Sequence, residues 1–366
     1  MNSKISKVDG PLLVSAFALT LGGLIMIYSG SSVIAYGEFA DSAYYFKKQL
    51  IWATAGLIAG LYIYVYGADK IRRFIPALLA AALFLMFAVH FPGLGRRAGG
   101  AVRWLKAGPV TFQPFEFLKL CYVLYLALIF SSEKLPDSVK LTRGMIITAI
   151  SLAALVWQKD LGGAVIIAVL FLFMLVVAGF NLKYLLMFIP VMAAGFVYFI
   201  KAEPYRVKRI FTFLDPWQDP LGAGWQTIQS LIAIGSGGIF GVGFFESQQK
   251  FYYLPTPHTD YIFSIIGEEL GLWGSLLVLI GFFFILQRGI FIALNTRDTF
   301  LKYAAAGATF MIVVQALANM YVATGLMPPK GTTLPFMSAG GSSLIVNIAA
   351  IAILLSISRR MKAGSA

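Results

Sequence analysis

Long apolar stretches alternate with short polar connections along almost the whole chain. A run of about 20 apolar residues is long enough to cross a bilayer as a helix. We predict ten such helices, the fifth and sixth divided only by the polar triplet Gln158-Lys159-Asp160. Their approximate limits are 11–36, 49–68, 74–91, 114–131, 142–158, 161–179, 183–200, 261–287, 300–325 and 340–358. The pattern predicts an all-α polytopic membrane protein, a bundle of ten transmembrane helices.

The composition excludes an ordinary soluble enzyme. Apolar residues make up 59% and charged residues 12% of the 366 residues, whereas soluble proteins carry about 25% charged residues. Cys121 is the one cysteine, so no disulfide forms within the chain, and the two histidines are too few for a typical zinc site. The net charge of +13 is spread over short connections, which is typical of orientation signals and not of nucleic-acid binding.

Basic residues at the two ends of the chain predict its orientation. Lys4 and Lys7 precede the first apolar segment, which is too long for a cleaved signal sequence, so we expect it to be retained. Because basic flanks stay in the cytoplasm, we predict that both termini are cytoplasmic. The basic residues after the last segment are Arg359, Arg360 and Lys362. In this single domain, 1–366, the outer connections are 92–113, 327–339 and a large extracytoplasmic loop, 201–259, between spans 7 and 8.

Three charged side chains interrupt the apolar spans or stand at their ends. Glu116 and Lys119 are three residues apart, so they share one helical face. Charges inside a membrane are costly and face the bundle interior or a wet cavity. We therefore expect either a structural ion pair or a cavity-lining pair. Asp160 stands at the outer end of a span, where a polar turn between helices is the simpler explanation.

Segment 92–113 carries four cations although the orientation places it outside the cell. They are Arg96, Arg97, Arg103 and Lys106, with Trp104 among them. One interpretation is an interfacial anchor, with arginine and tryptophan at the level of the lipid headgroups. The other is a binding site for phosphate.

The long outer loop begins with cations interleaved with aromatic residues. Arg206 and Arg209 belong to this stretch, which is typical of an amphipathic segment lying on a membrane surface. The outer location argues against the other interpretation, base stacking in a nucleic-acid complex. The loop continues through Gln229 and Ser230 into the glycine-rich stretch 235–243, which is too short for an ordinary span. We predict that this stretch is a re-entrant or cavity-lining segment.

Asp260 stands at the end of the long loop, where the next span begins. It follows His258 and Thr259, and Glu268 lies about two helical turns further along. Thr259 or Asp260 could cap this helix, whereas a carboxylate at the depth of Glu268 requires a further reason. The last outer loop, 327–343, contains three prolines and predicts a rigid connection to a closely packed final helix.

Together these residues resemble the SEDS family (shape, elongation, division and sporulation) along nearly the whole chain. Any one motif is common, but their presence in the family's order is specific. Segment 247–255 is most similar to the division member of the family. The motifs are Arg103-Trp104-Leu105, Gln113-Pro114-x-Glu116-x-x-Lys119, Asp160-Leu161-Gly162, Pro204-Tyr205-Arg206-x-x-Arg209, Asp215-Pro216-Trp217, Gln229-Ser230, Gly237-Gly238-x-x-Gly241-x-Gly243, His258-Thr259-Asp260, Glu268-Glu269-x-Gly271, Lys330-Gly331-x-x-Leu334-Pro335-Phe336, Ser338 and Gly340-Gly341-Ser342-Ser343.

The resemblance implies a peptidoglycan glycosyltransferase. Such an enzyme polymerises lipid II, the undecaprenyl-pyrophosphate-linked disaccharide peptide, on the outer face of the cytoplasmic (inner) membrane, here at the division septum. A class B penicillin-binding protein transpeptidase and other divisome membrane proteins are the implied partners, with no nucleic acid. An elongation-type polymerase, a lipid II transporter and a non-catalytic scaffold are the alternatives. The charges crowd toward the outer side, which favours outward catalysis over transport.

The implied reaction is an inverting transfer, which needs one general base and cations near the leaving pyrophosphate. We assign the base to Asp260. No cofactor is assigned, and a divalent cation, Mg²⁺ or Mn²⁺, is left open. The residues assigned to the substrate cavity are Arg103, Glu116, Lys119, Asp160, Arg206, Arg209, Gln229, Ser230, His258, Thr259, Glu268, Lys330 and Ser338.

Overall fold

The computed structural model describes residues 8–98, 100–108, 110–202, 204–251 and 253–363. Lys4 and Lys7, which carry the orientation argument at the amino terminus, lie outside these ranges. The helices are α1 Gly10–Phe39, α2 Tyr44–Tyr66, α3 Ala68–Ile71, α4 Ile75–Ala88, α5 Pro114–Phe130, α6 Asp137–Trp157, α7 Leu161–Val177, α8 Leu182–Lys201, α9 Pro204–Leu214, α10 Trp225–Gly237, α11 Ile262–Asn295, α12 Thr299–Ala323 and α13 Gly341–Ala363. Short 3₁₀ turns occupy Arg72–Phe74 and Pro216–Gln218.

Each of the ten predicted spans overlaps a helix, so the predicted helical membrane protein is confirmed. Among the described residues, eight helical stretches are long and apolar enough to cross a bilayer, with α3, the 3₁₀ turn and α4 counting as one. Helix α7 is apolar but has 17 residues. Helix α5 also has 17 residues and includes Glu116 and Lys119. The number of ten spans therefore stays a prediction.

Aspartates begin several of the helices by accepting a hydrogen bond from a free backbone amide of the first turn. Asp9 accepts from the Leu12 amide at 3.2 Å and Asp298 from the Leu301 amide at 2.9 Å. Asp160 does the same for α7. Lys159, just before it, has the left-handed φ of 56°. The predicted division of spans 5 and 6 at this triplet is confirmed, because the backbone reverses there.

The middle of the bundle is formed by α5, α12 and α13, whose residues are mostly buried. Helix α2 packs on α13 and α1, and α11 packs on α1, α10 and α12. Helix α8 has no buried residue, and among the described residues its close contacts are with its sequence neighbours α7 and α9. The functional side chains of α5, α11 and α12 are therefore held by the best-packed part of the molecule.

The described residues of segment 92–113, an outer connection in the prediction, form a small antiparallel sheet beside the helical bundle. Its strands are β1 Gly95–Ala98, β2 Ala101–Ala107 and β3 Val110–Phe112, in the order β1-β2-β3. Within its pairing with β1, strand β2 contains one extra residue, Arg103, which lies between the pairs Arg96–Trp104 and Arg97–Val102 and has no partner in β1. The irregularity changes the direction of that part of β2. Periodicity over such short strands is too weak to have predicted the sheet.

The long outer loop contains two helices and ends in turns. Helix α9 carries Arg206 and Arg209, so the predicted amphipathic segment is helical, and α10 carries Gln229 and Ser230. The glycine-rich segment after α10 lies against a break in α11 at Gly271, whose φ of 65° and ψ of −156° interrupt the helix.

The glycine-rich segment replaces the hydrogen bonds that α11 loses at its break. The Val242 and Gly243 amides donate to the carbonyl oxygens of Glu268 and Glu269 at 3.0 and 3.1 Å. In return, the Leu272 amide donates to the Gly238 carbonyl oxygen at 3.0 Å. Backbone groups at membrane depth must find partners within the protein. The break in α11 and the irregular segment therefore stabilise each other.

Candidate active site

The described residues of the connections 89–113, 202–261 and 324–340 meet the α6–α7 turn at one end of the bundle, which we call the site face. The aspartate corner is defined as His258, Thr259, Asp260 and Gly331 on this face. Asp260 lies two residues before α11 and is half buried. Within the described part of the chain, no residue donates a hydrogen bond to its carboxylate, and burial raises its pKa to about 6. This is a base matched to near-neutral pH.

The interpretation of Thr259 or Asp260 as the cap of α11 is wrong. Tyr261 occupies the cap position, and no side chain accepts the first free amides. The Thr259 hydroxyl instead donates to the Thr256 carbonyl oxygen at 3.0 Å. Burial raises the pKa of Tyr261, and the charge of Asp260 raises it further, while Arg209 is close enough to oppose the rise. The Asp260 side chain is therefore not used to stabilise the helix end.

The backbone of the aspartate corner is fixed by three consecutive carbonyl groups. The His258 oxygen accepts from the Ala339 amide at 2.9 Å. The Thr259 oxygen accepts from the Ser338 hydroxyl at 2.5 Å. The Asp260 oxygen accepts from Asn319 Nδ2 at 2.8 Å. Ser338, assigned to the substrate cavity from the sequence, thus joins the last outer loop to the aspartate corner.

His258 is buried against the start of α2. Its ring lies 4.4 Å from the ring of Tyr45, centroid to centroid, and burial lowers its pKa to about 4. Its Nδ1 atom has no hydrogen-bond partner among the described residues. The imidazole is therefore neutral at physiological pH and adds no charge beside Asp260.

A second group of charges surrounds Lys330, one residue before Gly331. We call Lys330, Asp160, Arg103, Glu116 and Lys119 the lysine cluster. Burial lowers the pKa of Lys330 to about 8. The negative charges of Asp160 and Glu116 oppose this decrease in pKa, whereas the positive charges of Lys119 and Arg103 add to it. Lys330 Nζ donates to the Gly162 carbonyl oxygen at 2.5 Å. The next residue, Gly331, lies beside the Asp260 carboxylate, because a methyl group added at Gly331 would be 3.2 Å from Asp260 Oδ2. The last outer loop therefore connects the lysine cluster directly to Asp260.

The predicted pair of Glu116 and Lys119 is an ion pair of 2.9 Å between two buried side chains. Lys119 Nζ also bonds Gln315 Oε1 on α12. Gln315 Nε2 in turn donates to the carbonyl oxygen and the hydroxyl of Thr333, at 3.1 and 3.0 Å. The pair is therefore part of a network that reaches the last outer loop.

The arginines predicted to bind pyrophosphate have different surroundings. Arg103 donates from Nη2 to the Lys159 carbonyl oxygen at 2.5 Å and fixes the α6–α7 turn. Arg206 Nη1 donates to the carbonyl oxygen of Phe199 in α8 at 2.8 Å. Arg209 is exposed, and its Nη1 lies 3.5 Å from the Pro329 carbonyl oxygen. A cavity of about 410 Å³ beside Arg209 is lined by Lys208, Trp225, Gln226, Pro255 and Pro329, among others.

Other predicted cavity residues lie in structural contacts. The Glu268 carboxylate accepts from the Ser247 hydroxyl at 2.5 Å and from the Gln248 and Gln249 amides at 2.8 and 3.3 Å. The Ser230 hydroxyl bonds Ser264 and the Ala323 carbonyl oxygen, both at 2.6 Å, and so joins α10, α11 and α12. Gln229 is buried next to it on α10.

Two residues of the site were missed from the sequence, Gln315 and Asn319. Both are buried amides on α12, four residues apart and so on one helical face. Asn319 Nδ2 contacts the carbonyl oxygens of Asp260 and Thr332, at 2.8 and 2.5 Å. Two amides at this spacing in an apolar span were a signal that could have identified them.

Whether the protein could bind a divalent cation depends on the side-chain ligands that it offers. In the residues that the structure describes, no three or more His, Cys, Asp and Glu side chains form a group that could hold a metal ion. Asp260 could contribute one carboxylate oxygen to a Mg²⁺ ion that is otherwise held by phosphate and water. The described side chains therefore do not form a complete protein-built metal site.

Comparison with known proteins identifies the family. Residues 11–363 match the profile of the FtsW, RodA and SpoVE proteins, described as cell cycle proteins. The chain belongs to this family, and the resemblance drawn from its motifs is confirmed. It is a multi-pass membrane protein, as its apolar helices and its family indicate.

Named relatives and solved structures agree with this assignment. The chain is 42% identical to a probable peptidoglycan glycosyltransferase FtsW of Trichlorobacter lovleyi, over 98% of this chain and 95% of that protein. It is 40% identical to the stage V sporulation protein E of Bacillus subtilis, over 98% and 99%. A chain of a peptidoglycan synthase complex that coordinates polymerization and crosslinking superposes with a TM-score of 0.79 at 28% identity, covering 97% and 98%. RodA of Thermus thermophilus gives 0.71 at 25% identity, covering 96% and 97%.

Proposed function

We propose that the protein is a peptidoglycan glycosyltransferase that polymerises lipid II into glycan strands at the division septum. Its family and the names of its relatives support this activity. The observation that carries the assignment of the site is the Asp260 carboxylate. It is half buried, accepts no hydrogen bond from the described residues and has a pKa raised to about 6. A carboxylate in this state is available as a proton acceptor.

The reaction is a single inverting displacement. The 4-hydroxyl oxygen of the acceptor sugar attacks the anomeric carbon of the donor, and Asp260 accepts the hydroxyl proton. The bond between the anomeric carbon and the pyrophosphate oxygen breaks, and pyrophosphate leaves with the electron pair. A positioned base contributes typically 10²- to 10⁴-fold to the rate. Pyrophosphate is a good enough leaving group to need no protonating acid.

The leaving pyrophosphate requires positive charge on the same face. Lys330 lies in the last outer loop, one residue before Gly331, and its pKa of about 8 leaves it mostly protonated at neutral pH. Arg209 bonds the same loop at Pro329 and borders the 410 Å³ cavity. Cations already held in place stabilise developing charge at no reorganisation cost. Arg206 extends the positive surface along α9, while Arg103 acts by fixing the α6–α7 turn.

The orientation and the partners follow from this role. We place the site face on the outer side of the cytoplasmic membrane and both termini inside, because the basic ends of the chain favour the cytoplasm. A class B penicillin-binding protein transpeptidase is the proposed partner. The similarity to a chain of a complex for polymerization and crosslinking supports it. Other divisome membrane proteins are further proposed partners.

The test is a polymerase assay on the purified full-length protein with fluorescent lipid II, alone and with a class B transpeptidase. We expect glycan ladders on a gel in at least one of the two preparations. A parallel assay follows lipid II movement across liposome membranes. Movement of lipid II without polymer in either preparation would replace this proposal with transport. Absence of both activities would favour a scaffold.

A further inference from the structure

The side chain of Asn319 contacts both loops of the aspartate corner through a single nitrogen atom. Its Nδ2 atom lies 2.8 Å from the Asp260 carbonyl oxygen and 2.5 Å from the Thr332 carbonyl oxygen. The first oxygen belongs to the residue that carries the proposed base. The second lies two residues after Lys330. The amide thereby sets the distance between the base and the cationic loop.

The helix that carries Asn319 is suited to hold this distance constant. Asn319 is fully buried, and α12 lies in the middle of the bundle against α5 and α11. One turn earlier, Gln315 holds Thr333 of the same loop and the buried ion pair of α5. Two amides on one face of a well-packed helix therefore fix the loop at two neighbouring points.

We propose that Asn319 is a positioning residue for the transfer reaction, holding Asp260 and the Lys330–Thr333 loop in the geometry that the reaction requires. The proposal rests on the proposed function, in which Asp260 is the base. Asn319 does not touch the reacting atoms and acts through the backbone of Asp260. A displacement of about 1 Å in a catalytic group can reduce the rate about 100-fold.

The test compares purified wild-type protein with N319L and N319T in the lipid II polymerase assay. Leucine has a similar size and no donor, whereas threonine keeps one donor that can serve only one of the two oxygens. Y122F is the matched control, because it removes a buried hydrogen bond of 2.7 Å, between Tyr122 and Thr148, away from the site face. D260N is measured in parallel, and each protein's folded fraction is determined by size-exclusion chromatography and thermal unfolding.

We expect N319L to reduce kcat 10- to 100-fold with KM changed less than about twofold, and N319T to fall between N319L and wild type. The acid limb of the pH–rate profile should also move to lower pH, because a loosened Asp260 becomes better hydrated and its pKa of about 6 falls toward the ordinary value. A purely structural role would lower activity only in proportion to the folded fraction and leave the acid limb in place.

The outcomes separate this inference from the function it rests on. Wild-type kcat and an unmoved acid limb in N319L, beside an inactive D260N, would overturn the positioning role alone. If N319L does not fold, kcat and the acid limb of the pH–rate profile of N319T test the positioning role instead. Polymerisation by D260N at the wild-type rate would overturn the base assignment and the positioning role with it. Y122F should keep the wild-type kcat and acid limb.

Discussion

Asp260 and Glu268 lie eight residues apart along the same stretch of chain, yet their carboxylates have opposite surroundings. Glu268 is buried and accepts hydrogen bonds from Ser247 and from two backbone amides. Asp260 is half buried and accepts none from the described residues. The sequence made both candidates for the site. The structure separates them, because a fully bonded carboxylate stabilises the fold and an unbonded one is free to accept a proton.

Glu269 and Glu116 belong with Glu268 in this comparison. Glu269 accepts from the Ser29 hydroxyl at 2.5 Å and from Lys250 Nζ at 3.3 Å. Glu116 is paired with Lys119. Buried charges persist in proteins when they are paired or hydrogen-bonded. The contrast therefore predicts loss of activity without unfolding at Asp260, and loss of stability at the three bonded glutamates.

The largest expected effect is the loss of polymerase activity in D260N. Asn is nearly the same size as Asp but cannot accept the proton, so the rate should fall at least about 100-fold while the protein still folds and binds the proposed transpeptidase partner. The matched control is D298N, at the start of α12, where Asn caps about as well as Asp and activity should be kept. Polymerisation by folded D260N within about threefold of wild type would refute the base assignment.

Breaking the Glu116–Lys119 ion pair should reduce the stability of the folded protein and not only its activity. Removing one partner leaves a buried unpaired charge, which costs about 3–5 kcal/mol, so E116Q and K119M should each melt well below wild type. The double variant removes both charges and should be less destabilised than the sum of the two. Thermal unfolding of the four proteins gives the coupling energy. Simple additivity would mean that the 2.9 Å contact has no energetic role.

E268A should destabilise the protein by roughly 3 kcal/mol, because a hydroxyl and two amides lose a charged acceptor. The segment 247–249 should then become more accessible to protease. E133A, at an exposed glutamate, is the control and should melt like wild type. Unchanged stability with abolished activity in E268A would place Glu268 in the substrate cavity after all.

The spans were predictable because a bilayer demands long apolar helices and each segment meets that demand independently of the others. The division at Gln158-Lys159-Asp160 was predictable for the same local reason. The break in α11 at Gly271 was not, since it depends on a distant glycine-rich segment that supplies the missing hydrogen bonds. The role of Asn319 likewise depends on loops that lie far away in sequence. Contacts of this kind are decided by packing and leave little local pattern.

The smallest expected effect is a pH-dependent gain in stability in D260N. Burial raises the pKa of Asp260 from 3.8 to about 6, so the folded protein binds this proton more tightly than the unfolded chain. Stability contributed by the protonated form is complete below about pH 4 and is lost as pH rises through about 6. Asn has no charge to desolvate and suffers no such loss. The stability of D260N relative to wild type should therefore increase between pH 5 and pH 8, by about 1 kcal/mol. Thermal unfolding of both proteins at the two pH values measures it. A constant difference between D260N and wild type would mean that Asp260 titrates near its ordinary pKa and is hydrated like an exposed residue.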